Sequence, residues 1–456
     1  MGPRPAGETR VYIHTLGCPK NEADSRVLGR SLAAAGVALV GDPEQATHIL
    51  LNTCAFIREA KEESIAAILD ASASYPSRNV LVMGCLVERY REELRQGIPE
   101  VAGWFGLVGG PDQQALVRSL AADQAGAGDA VDGGGDWMPV SAGLSAGGSF
   151  AYLKISDGCD ELCTFCAIPG IKGPYTAATP EEILTEADAC LEAGARELVL
   201  VGQDTARWES RGMDLLGLAK ALTADPRLRW LRVMYLQPEH VTDAFLAYMG
   251  EGGKLCAYLD LPLQHSHPAV LRRMGRAGDG DSYLELLARV RRLVPGAAVR
   301  SAFIVGFPGE TEDQFERLLR FVREAEFDYA GGFIYSPEEG TPAARLKPRV
   351  PLRAARERLV RLNQALADLA EVKHARQAGE TVEVIVDSLA GGLEAAEGPA
   401  AVGRTRGQAP EVDGVVHIEG ELPDGVNVGD IIKVTIEAAV GYDFVGTCAG
   451  AAGGHA

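Results

Sequence analysis

Three cysteines stand close together in the string CDELCTFC, at Cys159, Cys163 and Cys166. Three thiolates on one tight loop can bind three corners of an iron–sulfur cube and leave the fourth iron open to a substrate or cofactor. An open iron is what reductive cleavage of S-adenosylmethionine requires. Zinc is the alternative, but it usually takes four side-chain ligands as two separated pairs, and no matching fourth ligand lies nearby. The spacing therefore favours a catalytic cluster.

A second set of cysteines is spread along the chain. Cys18, Cys54 and Cys85 each lie just beyond the end of a predicted strand, in the strings LGC, NTC and MGC. Parallel strands place their carboxyl ends at one edge of a sheet, so cysteines at those ends can converge. Any one of them could be a small apolar filler of the core. The repeated placement favours a second three-thiolate metal site.

The remaining cysteines have no partners at ligand spacing. Cys190 falls on a helix face and Cys256 at a strand start, so we expect both to serve ordinary packing. Cys448 lies in a tail rich in Gly and Ala that we expect to be mobile.

The segments that must position these cysteines read as a small parallel α/β sheet, followed by a linker. Apolar runs at residues 11–15, 48–52 and 79–83 predict buried strands, and helical patterns at 22–35 and 61–71 lie between them. We assign this domain to residues 10–122. The Gly-, Ala- and Asp-rich stretch that follows, residues 123–148, predicts a linker.

Six strand-like runs then alternate with helical segments and predict a (β/α) barrel, full or partial, over residues 149–374. A helix start is marked by Thr179, Pro180 and Glu182, which give an N-cap, a first-turn proline and a capping-box carboxylate. The run GFPGE lacks the Gly-Lys-Ser/Thr ending of a phosphate loop and predicts a tight strand-to-helix turn. The predicted strands are residues 152–156, 197–201, 230–235, 257–261, 299–305 and 331–335.

The carboxyl-terminal part changes from helical to β-type sequence. A helical pattern over residues 352–375 gives way near residues 376–380 to alternating, β-branched sequence. Short strands are predicted at residues 382–386, 415–418 and 431–436, so we expect a small all-β barrel over residues 375–446.

Composition restricts the protein class. At 456 residues the chain is long enough for about three domains. Nine cysteines are too few and too unevenly spaced for a secreted disulfide scaffold. The net charge of −19 argues against a protein that coats nucleic acid. No targeting segment or membrane-spanning apolar run is evident, which predicts no membrane association and a cytoplasmic protein.

Taken together, these motifs resemble the methylthiotransferase family of radical S-adenosylmethionine (SAM) enzymes, over roughly residues 10 to 445. The resemblance implies an auxiliary [4Fe-4S] cluster in the first domain, a radical-generating [4Fe-4S] cluster in a partial (β/α) barrel, and a carboxyl-terminal barrel called TRAM that helps to bind the substrate. By resemblance, the first cluster is held by Cys18, Cys54 and Cys85, and the second by Cys159, Cys163 and Cys166.

Several sequence strings resemble the motifs of the branch of this family that modifies a ribosomal protein. That branch methylthiolates the β-carbon of an aspartate in protein twelve of the small ribosomal subunit, free or within the assembled subunit. Two alternatives remain: methylthiolation of a transfer RNA adenosine, whose enzymes usually have Asn where this chain has Asp204, and a non-catalytic iron–sulfur electron carrier. The strings are LGCPKN (16–21), CAIPGIKG (166–173), VGQDT (201–205), YLDLPLQH (258–265), FIVGFPGET (303–311) and YSPEEGTPA (335–343).

The charge of the carboxyl-terminal domain agrees with a protein substrate. Residues 376–443 contain four Lys and Arg against thirteen Asp and Glu, a net charge of −9. Such a domain would repel a phosphate backbone and attract a basic ribosomal protein, although an acidic surface can also serve solubility alone.

The resemblance also implies a mechanism and further site residues. A 5′-deoxyadenosyl radical would abstract hydrogen from the substrate carbon, and sulfur from the auxiliary cluster would follow, methylated by a second SAM; an external electron donor and a sulfur donor are required. By resemblance, Phe165 is expected near the adenine of SAM, with a plain core aromatic as the alternative. Gln203 and Asp204 stand where many radical enzymes carry a Gly-Gly-Glu that holds the methionine amino group, a triplet from which this chain departs. His265 and Glu338, by contrast, are expected to be satisfied structural residues.

Overall fold

Parallel strands alternate with helices in the amino-terminal part of the chain, as the sequence predicts. The strand order is β2-β1-β3-β4-β5, and every ladder is parallel. All six residues of β3 are buried, as expected for a central strand covered on both faces. The elements are β1 (Arg10–Thr15), α1 (Pro19–Ala34), β2 (Ala38–Leu39), β3 (His48–Thr53), α2 (Arg58–Ser74), β4 (Asn79–Gly84), α3 (Cys85–Gly97), β5 (Gly103–Trp104) and α4 (Pro111–Ala125). The two-residue strands β2 and β5 were too short for the sequence pattern to indicate.

This computed structural model describes residues 9–125, 148–390 and 398–449. Most of the predicted linker, residues 126–147, lies outside the described residues. The chain forms two compact units: described residues up to 125 together with Ala167–Pro174 form unit 1, and the others form unit 2. The segment Ala167–Pro174, which the sequence places within the barrel, therefore belongs to the amino-terminal unit. None of the described helices is both long and apolar enough to cross a membrane.

Unit 2 contains the predicted partial barrel. Its six main strands form two parallel sheets, ordered β12-β9-β6 and β13-β14-β15, and a parallel bridge between Leu231 and Leu255 links their adjoining edges. Among the described strands, no ladder joins β6 to β15, so the barrel is open on one side.

All six predicted strands and the predicted capping box at Thr179 are present. The elements of the barrel are β6 (Phe150–Lys154), β7 (Ser156–Asp157), α5 (Ile168–Lys172, in unit 1), β8 (Thr176–Ala177), α6 (Pro180–Glu192), β9 (Glu197–Val201), β10 (Glu209–Ser210), β11 (Met213–Asp214), α7 (Leu215–Thr223), β12 (Trp230–Val233), α8 (Asp243–Gly250), β13 (Tyr258–Gln264), α9 (Pro268–Met274), α10 (Gly280–Leu293), β14 (Ala298–Val305), α11 (Glu312–Ala325), β15 (Tyr329–Ile334) and α12 (Leu352–Ala375).

The carboxyl-terminal part of unit 2 is a closed five-stranded barrel, in the order β16-β17-β18-β20-β19. Closure removes the exposed strand edges that a small sheet would otherwise present. The sequence indicated three of these strands, and the structure adds β17 and β20. The elements are β16 (Thr381–Leu389), β17 (Ala401–Thr405), β18 (Val416–Glu419), β19 (Ile431–Val440) and β20 (Asp443–Cys448).

A buried carboxylate joins the two barrels of unit 2. Glu197 begins β9 and is fully buried; its Oε1 lies 2.7 Å from Nε of Arg232, and its Oε2 lies 2.6 Å from Nη1 of Arg404 in β17. Arg404 also pairs with Asp387, at 2.7 Å. Burial alone would raise the pKa of Glu197, but the two guanidinium groups outweigh it and the pKa is lowered.

The segment that follows β17 lies against the amino-terminal ends of the (β/α) barrel strands. The Tyr152 hydroxyl donates to the carbonyl oxygen of Pro410 at 2.8 Å, and the Tyr258 hydroxyl donates to Asp413 at 2.8 Å. Arg300, near the start of β14, also pairs with Asp413, at 3.2 Å. These contacts close the end of the (β/α) barrel opposite to the carboxyl ends of its strands.

Replacing Glu197 with Gln should lower the free energy of unfolding by about 3–5 kcal/mol, because breaking a buried ion pair leaves uncompensated charge in the interior. Denaturant-induced unfolding followed by circular dichroism measures this. Glu357→Gln is the matched control, since Glu357 pairs with Arg353 on the surface, 2.9 Å apart within one helix, and should cause no measurable change. Equal effects of both substitutions would contradict the importance of the buried carboxylate.

Candidate metal centres

The three cysteines of unit 1 lie at the carboxyl edge of its sheet, as the sequence predicts. Cys18 is the N-cap of α1, Cys54 directly follows β3, and Cys85 is the first residue of α3, directly after β4. The amino end of a helix carries partial positive charge and stabilises a thiolate. Cys18 and Cys85 therefore lie at the amino ends of helices, whose dipoles favour the ionised form of their thiols.

Burial has the opposite effect on these thiols. The pKa of Cys85 is raised to about 12, chiefly by burial; Lys172 lowers it, and the nearby Cys54 and Cys18 add to the rise. The pKa of Cys54 is also raised, first by burial and then by Cys18. Cys54 and Cys85 thus sense the charge of the neighbouring thiols, and a cation among the three sulfur atoms would favour their ionised forms. A metal centre supplies that charge, so the three residues fit one.

Close backbone packing holds the loops that carry these cysteines. A Cβ atom on Gly17, whose φ is +98°, would lie 2.5 Å from Cβ and 3.0 Å from Sγ of Cys54. The Asn21 amide donates to the carbonyl oxygen of Leu16 at 2.7 Å. The backbone N–H of Cys54 donates to the Ser64 hydroxyl at 3.1 Å. In the string LGCPKN, the Gly therefore leaves room for Cys54, and the Asn fixes the loop by its hydrogen bond to Leu16.

The second set, in unit 2, lies on the loop that follows β6 and β7. The backbone N–H of Glu161 donates to Sγ of Cys159 at 3.4 Å, and that of Cys166 donates to the carbonyl oxygen of Cys163 at 3.1 Å. Thr164 anchors the loop to the end of α9: its N–H donates to Met274 O at 2.8 Å, and its hydroxyl donates to Arg273 O at 2.7 Å. The three cysteines are thus presented on one tight, anchored loop.

An arginine that the sequence did not indicate lies beside this loop. Burial raises the pKa of Cys163, and Arg276 opposes that rise from 3.9 Å, measured between its Nη1 and the cysteine Sγ. Arg276 is itself buried, and its Nη2 donates to the carbonyl oxygen of Pro262 at 3.1 Å. Since Arg276 is distant in sequence from the cysteines, only the folded barrel reveals this pairing.

The predicted cofactor-binding residues have different environments. Phe165 is partly buried and packs on the core of the barrel. Gln203 donates to Asp157 at 3.3 Å, but its buried Oε1 accepts no hydrogen bond from the described residues. An orphaned acceptor beside the cysteine loop suits a ligand that brings a donor, such as an ammonium group.

Asp204, in contrast, already has partners within the protein. Its carboxylate accepts from the backbone N–H of Ala206 and of Gln237, at 3.1 and 3.4 Å, and lies 2.6 Å from Nδ1 of His240. Asp204 is fully buried, so its visible role is to hold the turn after β9 and to orient His240. His240 is a neighbour of the site that the sequence did not indicate.

The residues expected to be structural have hydrogen-bond partners or are buried, but the prediction for one cysteine was wrong. His265 is fully buried and hydrogen-bonds to Glu310 at 3.2 Å, and Glu338 accepts from the Ser336 hydroxyl at 2.7 Å. Cys190 and Cys256 are buried, as predicted. The prediction that Cys448 lies in a mobile tail was wrong: it ends β20 and is buried in the core of the small barrel, where its sulfur fills apolar space.

A partial (β/α) barrel with three thiols on the loop after its first strand is the arrangement of the radical SAM superfamily, and here an α/β domain with three further thiols precedes it. Residues 10–106 match the family described as uncharacterized protein family UPF0004, residues 153–322 match the radical SAM superfamily, and residues 378–449 match the TRAM domain. This chain belongs to the family of ribosomal protein uS12 methylthiotransferases known as RimO.

That membership rests on similarity along the whole chain. The chain is 42% identical to the ribosomal protein uS12 methylthiotransferase RimO of Anaeromyxobacter sp. (strain K), covering 96% of this chain and 93% of the relative. It is 39% identical to RimO of Thermotoga maritima, covering 96% and 99%, and 37% identical to RimO of Aquifex aeolicus, covering 96% of each. These names favour the ribosomal-protein branch over the transfer RNA branch and the electron carrier.

A solved structure agrees in fold alone. The radical S-adenosylmethionine methyltransferase TsrM from Kitasatospora setae, solved with cobalamin and a [4Fe-4S] cluster, superposes with a TM-score of 0.53 at 15% identity, over 74% of this chain and 77% of that chain.

If both sets of cysteines bind clusters, anaerobically reconstituted protein should contain about eight irons per chain. Replacing Cys18, Cys54 and Cys85 together with Ala should reduce this to about four, as should replacing Cys159, Cys163 and Cys166. Iron and sulfide analysis measures both. The control is a chain with Cys190 and Cys448 replaced by Ala, which should keep its full iron content. About four irons in the unaltered chain, with no loss on replacing the first set, would rule out the auxiliary cluster.

Gly275→Ala should disturb the cluster of unit 2 selectively. The φ of Gly275 is +72°, and its added Cβ would lie 2.2 Å from the carbonyl oxygen of Leu162, inside the cysteine loop. We expect iron to fall by up to about four per chain, with the far-ultraviolet circular dichroism retained. Gly252→Ala is the matched control, because its φ is +74° but its Cβ would meet no atom within 4 Å. Equal iron loss in both variants would attribute the effect to backbone strain alone.

Proposed function

We propose that this chain methylthiolates ribosomal protein uS12, replacing one hydrogen on the β-carbon of an aspartate with a methylthio group. The observation that carries the proposal is the presence of two three-thiol sites in one chain, one at the carboxyl edge of an α/β sheet and one on a loop of a radical SAM barrel. The relatives that match along the whole chain bear the name of this activity. An aliphatic C–H bond is unactivated, so acid–base chemistry alone would not suffice.

The cofactors that we propose are two [4Fe-4S] clusters and SAM. Cys159, Cys163 and Cys166 would hold the cluster that binds SAM, and Cys18, Cys54 and Cys85 would hold the auxiliary cluster. When bound, the cluster of the barrel would supply the electron that cleaves SAM into methionine and a 5′-deoxyadenosyl radical, and the auxiliary cluster would supply the sulfur that the substrate receives.

Residues around the loop would bind SAM and orient it. The orphaned Oε1 of Gln203 would accept a hydrogen bond from the methionine ammonium group. Phe165, which packs on the barrel core, would present its exposed face to the adenine ring. Asp204 would act indirectly, by holding the turn that carries Gln203 and by orienting His240.

The substrate that we propose is a basic protein, which agrees with the charge of the carboxyl-terminal barrel. Asp387 and Asp413 are used inside the protein, by Arg404 and Arg300, and so contribute little to the outer surface. Other carboxylates of the barrel are exposed and remain available to Lys and Arg of a partner. They are Glu380, Glu383, Glu419, Glu421, Asp424, Asp430 and Glu437.

The remaining assignments follow from this activity. The domains would be residues 10–122, 149–374 and 375–446, joined by the segment 123–148. The reaction would need an external electron donor and a sulfur donor. The protein would meet uS12, free or within the assembled small subunit, in the cytoplasm, where ribosomes work.

Mass spectrometry of uS12 tests the proposal directly. After anaerobic incubation with reconstituted enzyme, reductant, sulfide and SAM, one aspartate should gain the mass of a methylthio group in place of a hydrogen. The chain with Cys18, Cys54 and Cys85 replaced by Ala is the control, since it should cleave SAM but leave uS12 unmodified. Unmodified uS12 together with methylthiolated transfer RNA would overturn the substrate assignment.

A further inference from the structure

A short segment in the middle of the chain brings a cation to the auxiliary thiols. Ala167–Pro174 begins directly after Cys166, yet it belongs to unit 1. Ala167, the N-cap of α5, and Ile171, within α5, are buried in the same apolar cluster as Cys85. The segment is therefore packed into the core that carries a proposed iron ligand.

Lys172 ends α5, and its charged end is buried. Its Nζ lies 3.2 Å from Oδ2 of Asp24 in α1, and the side chains are only 5% and 4% exposed. Burying such a pair removes both ions from water and costs desolvation free energy. A pair on the surface would hold the segment in place without that cost. The helix α5 also packs against α3, the helix that begins at Cys85, so the ion pair lies in the part of unit 1 that carries this thiol.

We propose that Lys172 is a positioning residue of the auxiliary site, whose buried ammonium group, held by Asp24, offsets the negative charge of the three thiolates and so sets the reduction potential of their cluster. This inference rests on the proposed function, because it requires a cluster at Cys18, Cys54 and Cys85. Net charge, hydrogen bonds and solvent exposure are the features by which a protein sets such a potential.

The test uses the full-length chain with Cys159, Cys163 and Cys166 replaced by Ala, so that only the auxiliary cluster is present. Midpoint potentials are measured by spectroelectrochemical titration, with iron and sulfide analysis of each sample. Lys172→Met should shift the potential to a more negative value, because the added electron loses a nearby positive charge. Asp24→Asn should shift it to a more positive value, and the double variant should lie between the two.

Two controls separate electrostatics from structure. Lys172→Arg keeps the charge and should stay close to the parent potential. Arg95→Met removes a cation of the same unit that is 61% exposed and pairs loosely with Glu92, at 3.9 Å, so it should not shift the potential. If Lys172 only fastens the segment, its variants will lose stability without any shift.

The outcomes are distinguishable. An unshifted potential in iron-loaded Lys172→Met overturns the inference and leaves the proposed function intact. If Lys172→Met assembles no cluster, Asp24→Asn decides, because it retains the lysine, and an unshifted potential there overturns the inference. If the parent chain itself binds no iron, the auxiliary cluster and the proposed function fail together.

Discussion

Negative charge on buried sulfur is the constraint on which the rest of the structure depends. A cysteine thiol must ionise to a thiolate to bind iron, yet burial raises the pKa of Cys54, Cys85 and Cys163. The fold supplies positive charge at each site: helix amino ends and Lys172 in unit 1, and Arg276 in unit 2. Bound iron would offset the remaining negative charge, so both sets of cysteines suit a metal.

The two ends of the (β/α) barrel have different tasks. The carboxyl ends of its strands carry the cysteine loop, Gln203 and Arg276, whose polar groups are left partly unsatisfied for a ligand. The amino ends are closed by the small barrel through fully paired groups such as Glu197 and Asp413. This division agrees with the general rule for such barrels, in which one end carries the reaction and the other provides stability.

Connectivity adds a link between the two thiol sets. The chain completes the CDELCTFC loop and passes at once into unit 1, where α5 packs beside Cys85. The string CAIPGIKG, which identifies the family by resemblance, thus has a physical content of its own: apolar residues that enter the core and a lysine that meets Asp24.

The sequence by itself determined the elements and the ligand sets, because these depend on local patterns: apolar runs for β1, β3 and β4, a capping box at Thr179, and cysteines placed at strand ends. It could not reveal the short strands β2 and β5, the burial of Cys448, or the closing strand β20, since each exists only through pairing with distant residues. Only the tertiary structure decided which charges meet. Lys172 with Asp24, Arg276 with Cys163 and Glu197 with Arg404 are far apart along the chain, and ion pairs leave no periodic pattern in sequence.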